Sequence, residues 1–153
     1  VKESIILIVV ALGLAFGVYA LRSDKIGSLQ PSVNPTAPPP AQFENGISEI
    51  SLSDAFSHFE AEDAVFADSR HPADYDAGHI QGALNLAVME PDAWLSGLLA
   101  ATDPATLIIT YCDGEACHLA TDLAELLLLN GFENVRYLRN GWTRWRERGY
   151  PIE

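Results

Sequence analysis

A chain of 153 residues with 48% hydrophobic content and a formal net charge of −12 can bury one compact core, but hardly two. That acidic balance excludes a nucleic-acid partner, because counterion release from phosphates needs clustered Lys and Arg. Cys112 and Cys117 are too few for a disulfide-stapled domain, and a bridge between them would close too small a loop to stabilise the fold by chain entropy, so chemistry is their better use.

Residues 5–21 (IILIVVALGLAFGVYAL) carry no charge and match the short end of the ~17–25 residues that span a bilayer. Residues 1–22 are therefore expected to form an uncleaved transmembrane anchor, the alternative being a signal sequence cut after Val18-Tyr19-Ala20. Lys2, Arg22 and Lys25 do not fix an orientation. Residues 23–46, with Pro31, Pro35, Pro38, Pro39 and Pro40, read as an extended linker. A stalk of that kind after an anchor points to a single-pass protein whose domain lies outside the cytoplasm, in the periplasm, with the membrane as a partner through residues 5–21.

From Ile47 the texture becomes that of a globular domain over 47–153. Residues 47–50 suit a short strand. Ser51 with Asp54 forms a possible capping box for a helix running through Phe59. Residues 64–67 (AVFA) read as a strand ending at Asp68, and His71-Pro72 opens a short helix over 72–77. Gly78 and Gly82 bracket a turn before a strand at 83–86, and 91–100 reads as a helix. Residues 106–111 (TLIITY), continuous, apolar and β-branched, give the clearest strand. After a polar loop, 118–129 is helical, with Leu119, Leu123, Leu126 and Leu127 on one face and Asn130-Gly131 as its stop. A strand at 135–138 and a helix at 141–148 follow, the latter with Trp142 and Trp145 one turn apart. Arg136, Arg139, Arg144, Arg146 and Arg148 alternate with aromatic and apolar residues there and read as a solvated face. Strands alternating with helices predict an α/β fold, a parallel-rich sheet covered on both faces.

Cys112 is the first residue after the most apolar strand and just precedes a helix. Sites in open α/β sheets form beyond the carboxyl ends of strands. Loop amides and a helix N-terminus there favour an anion, which predicts a lowered thiol pKa and a nucleophilic sulfur. The alternative is a buried cysteine that merely packs.

Residues 47–153 resemble the rhodanese-like domains. The resemblance is carried by Asp68-Ser69-Arg70, Tyr75, Gly78-His79-Ile80, Gly82-Ala83 and Asn85 (DSRHPADYDAGHIQGALNL), by Tyr111-Cys112, and by Gly131-Phe132, Val135, Leu138, Asn140-Gly141-Trp142, Trp145, Gly149 and Pro151 (GFENVRYLRNGWTRWRERGYP). It implies a five-stranded, mainly parallel sheet flanked by helices. It also implies a sulfurtransferase in which Cys112 accepts the outer sulfur of a donor as a persulfide, held by backbone amides of the loop Asp113, Gly114, Glu115, Ala116, Cys117 and His118, and then yields it to a thiol acceptor. No metal and no organic cofactor is implied. Many family members read C-x-x-G-x-R, whereas this loop has its glycine one place earlier, two acids, and Cys117 where arginine often stands. A phosphatase or arsenate-reductase-like activity is disfavoured by the missing arginine, which bidentate phosphate binding requires. The two acids favour a neutral or protein-borne persulfide, or a polysulfide, over thiosulfate. Cys117 is expected either to resolve the persulfide or pair with Cys112 in a disulfide, or simply to pack at the helix start. Asp68 and Arg70 are expected to support the site as an ion pair. His118 is expected at the exposed start of the helix, and the resemblance makes His79 structural. The rival function is a rhodanese-like module that binds sulfur or docks a partner without turnover.

Overall fold

The computed structural model describes residues 47–153. Five strands, β1 (Ser48–Glu49), β2 (Ala64–Asp68), β3 (Leu84–Asn85), β4 (Leu107–Tyr111) and β5 (Val135–Leu138), form one sheet in the order β1-β5-β4-β2-β3. Every strand pair in it is parallel. The helices are α1 (Leu52–Ala61), α2 (Pro72–Asp76), α3 (Leu95–Ala101), α4 (Leu119–Leu129) and α5 (Gly141–Glu147).

The pleat of β4 divides the core. Leu107, Ile109 and Tyr111 point to one face, where Leu52 and Ala55 of α1 and Trp142 and Trp145 of α5 cover them. Ile108 and Cys112 point to the other, under Ala120, Leu123, Ala124 and Leu127 of α4 and Leu98 of α3. All five residues of β4 are buried, as a central parallel strand requires.

Local chemistry sets the helix ends. Ser51 Oγ accepts from the Asp54 amide at 3.1 Å and caps α1, as its spacing to Asp54 predicts. His71 Nδ1 accepts from the Ala73 amide at 3.2 Å, with Pro72 opening α2. Asn130 ends α4, and Gly131 takes φ +97°, a left-handed conformation that glycine adopts without steric cost.

Several expectations change. The stripe of α4 that meets the sheet is Ala120, Leu123, Ala124 and Leu127, with Leu119 and Leu126 on its flanks, because two alanines let the helix lie close. The helix expected over 91–100 is a 3-10 turn at Pro91–Ala93 followed by α3. The strand at 83–86 shrinks to Leu84–Asn85 at the sheet edge.

The expected transmembrane element is corrected. Among the described residues no helix is long and apolar enough to cross a membrane. The longest helix among the described residues, α4, has 11 residues, and at ~1.5 Å per residue it falls well short of a ~30 Å hydrocarbon core. Residues 5–21, which carried the expectation of an anchor, and 23–46, which carried that of a linker, lie outside the described residues. The membrane therefore leaves the account of the fold, of the partners and of the location, and the single-pass, periplasmic assignment goes with it.

Gly141 is where α5 presses on the sheet. A Cβ there would stand 2.7 Å from Tyr111 Cβ and 3.1 Å from the Leu138 side chain. Gly141→Ala is expected to destabilise the domain by about 1–3 kcal/mol, the usual cost of overpacking, measured as a lower urea midpoint at unchanged m.

Candidate active site

In the sheet register Asp68 pairs with Tyr111, so β2 and β4 end level. From β2 the chain continues toward β3 on one side, and from β4 toward β5 on the other. Such a divergence opens a crevice beyond the strand ends, where ligands of open α/β sheets bind. A cavity of about 310 Å³ occupies it, lined in part by Ser69, Arg70, His71, Asp113 and Cys117. A second cavity, of about 420 Å³, lies on the other side of the loop and is lined in part by Cys112, Glu115, Cys117, His118, Thr121 and Arg139.

Cys112 is only 1% exposed, so a sliver of it reaches the second cavity. Its backbone is pinned, since the Trp142 amide donates to the Cys112 carbonyl at 3.1 Å. Its thiol points to the Cys117 carbonyl oxygen, 3.6 Å from Sγ. Burial pushes the Cys112 pKa far above the ordinary thiol range, and the Cys117 side chain and the Asp113 charge add to the rise. The Ala120 amide in the first turn of α4 hydrogen-bonds the sulfur and pulls the other way, but burial wins. The shift expected from the loop is thus reversed in direction, because burial favours the protonated form.

Two amides of the loop that was expected to converge on this sulfur are engaged elsewhere. Gly114 N–H donates to Asn140 Oδ1 at 2.8 Å, and Cys117 N–H to the Gly114 carbonyl at 3.3 Å. Asn140 Nδ2 donates to Glu115 Oε1 at 3.1 Å, and Thr143 Oγ1 donates to Asp113 Oδ1. Both acids of the loop are therefore held by the segment that begins α5. Asn140 does this from a left-handed backbone (φ +48°), a conformation that asparagine tolerates better than most residues. Ala116 lies exposed between these anchored positions.

Asp68, 0% exposed, receives Arg70 Nε at 3.0 and 3.1 Å and Arg70 Nη2 at 2.6 Å. Arg70 Nη2 also donates to the Gly78 carbonyl at 2.8 Å, and the guanidinium lies 4.9 Å from the Trp142 ring centre. Arg70 is thus committed to a clamp that holds α5 and the 78–80 turn against β2, and its exposed edge forms part of the wall of the crevice. Losing either partner of so buried a pair costs about 3–5 kcal/mol. Ser69 Oγ donates to the Tyr111 carbonyl at 2.8 Å and ties the two strand ends together. His118 is exposed, and its carbonyl accepts from Thr121 Oγ1 at 2.7 Å. His79 bonds the Tyr75 carbonyl at 3.0 Å and stacks on the Tyr75 ring, a structural placement.

The structure thus brings Cys112, the loop 113–118, Asp68 and Arg70 to one edge of the sheet. Sequence reasoning missed Asn140 and Thr143, which fix the loop, and Ser69, which ties the strand ends beside it. Asn140 and Ser69 stand inside the motifs that carry the resemblance, but their partners are set by tertiary contact, which no spacing encodes.

Removing the Asn140 side chain should loosen the closed loop. Asn140→Ala is expected to raise the rate of Cys112 alkylation by iodoacetamide severalfold. In the native chain that rate is expected to lag a free thiol at neutral pH and to keep rising above pH ~9.5, about one unit past the free-thiol pKa, where a free cysteine has levelled off. Peptide-resolved mass spectrometry across pH checks both.

A family model described as Rhodanese-like domain matches residues 51–148. Thiosulfate sulfurtransferase GlpE of Pseudomonas entomophila is 37% identical over 93 residues, covering 61% of this chain and 79% of that protein. The HTH-type transcriptional regulator Rv0324 of Mycobacterium tuberculosis is 32% identical over 104 residues, 68% of this chain, and the match spans only 44% of the regulator's length. The crystal structure of the BH2092 protein from Bacillus halodurans superposes with a TM-score of 0.60 at 26% identity, covering 69% of this chain and 75% of that one. The chain belongs to the rhodanese-like domain family.

Proposed function

We propose that this protein is a sulfurtransferase that carries sulfane sulfur as a persulfide on Cys112. The supporting observation is the position of Cys112, directly after the central parallel strand and at the wall of a cavity, in a chain of the rhodanese-like family. The Cys112 sulfur attacks the outer sulfur of a donor persulfide. The new bond joins Cys112 to that sulfur, the donor's S–S bond breaks, and the proton lost by Cys112 ends on the departing thiol. A thiol acceptor then takes the sulfur and restores Cys112. Ionising the sulfur requires that its burial be relieved, so uptake is coupled to release of Gly114 from Asn140 and opening of the loop.

Donor choice follows from charge. Asp113 and Glu115 flank the cysteine, and no arginine stands in the loop. Thiosulfate, a dianion, is opposed there, as is any small dianion, whereas a neutral or protein-borne persulfide is accepted. The thiosulfate in the GlpE name belongs to that relative. The burial of Cys112, which pushes its pKa up, favours a second reading, a rhodanese-like module that binds sulfur or docks a partner without turnover.

Incubation of the full chain with polysulfide, a small persulfide or thiosulfate, followed by intact-mass measurement, separates the readings. The expected result is a gain of one sulfur that is lost in Cys112→Ser, with the small persulfide, which carries less negative charge, charging about tenfold faster than thiosulfate, the effect of roughly 1.4 kcal/mol of charge repulsion. No gain with any donor establishes the non-catalytic module instead.

A further inference from the structure

The two cysteines share one cavity, and Cys117 reaches a second as well. Cys112 touches only the cavity beside α4, and just barely. Cys117 is half-buried and forms part of the wall of both cavities, including the crevice between the ends of β2 and β4. The strand pleat and the loop length together put the first thiol under α4 and carry the second back over it, with the Cys112 thiol directed at the Cys117 backbone carbonyl. Once the loop has closed over it, a sulfur bound to Cys112 is hidden from a bulky acceptor, while Cys117 stands within the crevice where open α/β sheets receive ligands.

We infer that Cys117 is the delivery thiol of the site, taking the sulfane sulfur from the Cys112 persulfide and presenting it to an acceptor thiol in the crevice lined by Ser69, Arg70, His71 and Asp113. The Cys117 thiolate attacks the outer sulfur of the Cys112 persulfide. A Cys117–sulfur bond forms, the bond from Cys112 to that sulfur breaks, and the Cys112 thiolate that leaves takes up the proton that Cys117 gave up. The exchange is electron-neutral and needs no oxidant or reductant. The exchange moves the sulfur from the covered position under α4 to the thiol that reaches the crevice. The crevice also sets the acceptor class. Its wall mixes Arg70 and His71 with Asp74, Glu90 and Asp113 and carries exposed Met89. That mixed wall suits a thiol on a peptide or protein chain better than a small anion.

Cys117 has this role only if Cys112 takes up sulfur first, as proposed above, and the measurement distinguishes the two steps. The full chain is charged with a small persulfide, quenched with iodoacetamide at successive times, and mapped by peptide mass spectrometry. The expected result is one extra sulfur on Cys112 first and on Cys117 later. In Cys117→Ser the sulfur still reaches Cys112, and its delivery to a dithiol peptide falls by about tenfold or more. In Cys112→Ser no sulfur reaches Cys117. Sulfur that never appears on Cys117, undiminished delivery by Cys117→Ser, or release of sulfide with a Cys112–Cys117 disulfide overturns the delivery role while leaving uptake at Cys112 intact. Charging of Cys117 in Cys112→Ser, or no charging of the native chain at all, overturns the Cys112 reading itself and the delivery role with it.

Discussion

The site depends on the phase of one strand. Alternation along β4 sends Ile109 and Tyr111 to the α1–α5 side and Ile108 and Cys112 to the α4 side. Slipping that phase by one residue would place Cys112 among the tryptophans of the opposite core. Thr110 locks the phase, because its buried hydroxyl donates to the Ala120 carbonyl at 2.7 Å and so ties the strand to the first turn of α4. The same α4 turn supplies the Ala120 amide to the sulfur. Strand register and the environment of the nucleophile are therefore one property.

Around that axis the polar groups are arranged to fix backbone rather than to offer charge. The Asp68–Arg70 pair, Ser69 on the Tyr111 carbonyl, and Tyr111 Oη accepting from the Ile80 amide at 3.1 Å all join neighbouring strand ends or turns. Among the described residues no buried side-chain nitrogen or oxygen lacks a partner. The Asp68–Arg70 pair, two opposite charges out of water, persists because geometry and a third partner at Gly78 offset the desolvation. The loop is held in the same manner, by Asn140 and Thr143 at the start of α5.

Much of this was legible in the sequence where periodicity and local rules govern. The β-branched run 106–111, the Ser51 cap, Pro72 after His71 and the Asn130-Gly131 stop all act within a few residues of themselves. The position of Cys112 after the central strand followed from the same reading. Its ionisation state did not. A polar loop sequence suggests amides aimed at sulfur, but whether they point there depends on Asn140 and α5, which return from far along the chain. Two alanines in α4 also hid the true contact face, since small residues mark close approach more than hydrophobicity does. The reading of an anchor rested on residues 5–21, outside the described residues, and the fold that is described contains no spanning helix.

An all-parallel sheet has no hairpin from which to start. The central pair joins Ala64 to Leu107 across the whole stretch that forms α2, β3 and α3, and such distant closures are slow because loop entropy is lost before contacts repay it. Until that closure both thiols stand in water. The period of greatest exposure to stray oxidants therefore falls during synthesis and folding, and burial of Cys112 acts afterwards as a seal on the reduced chain.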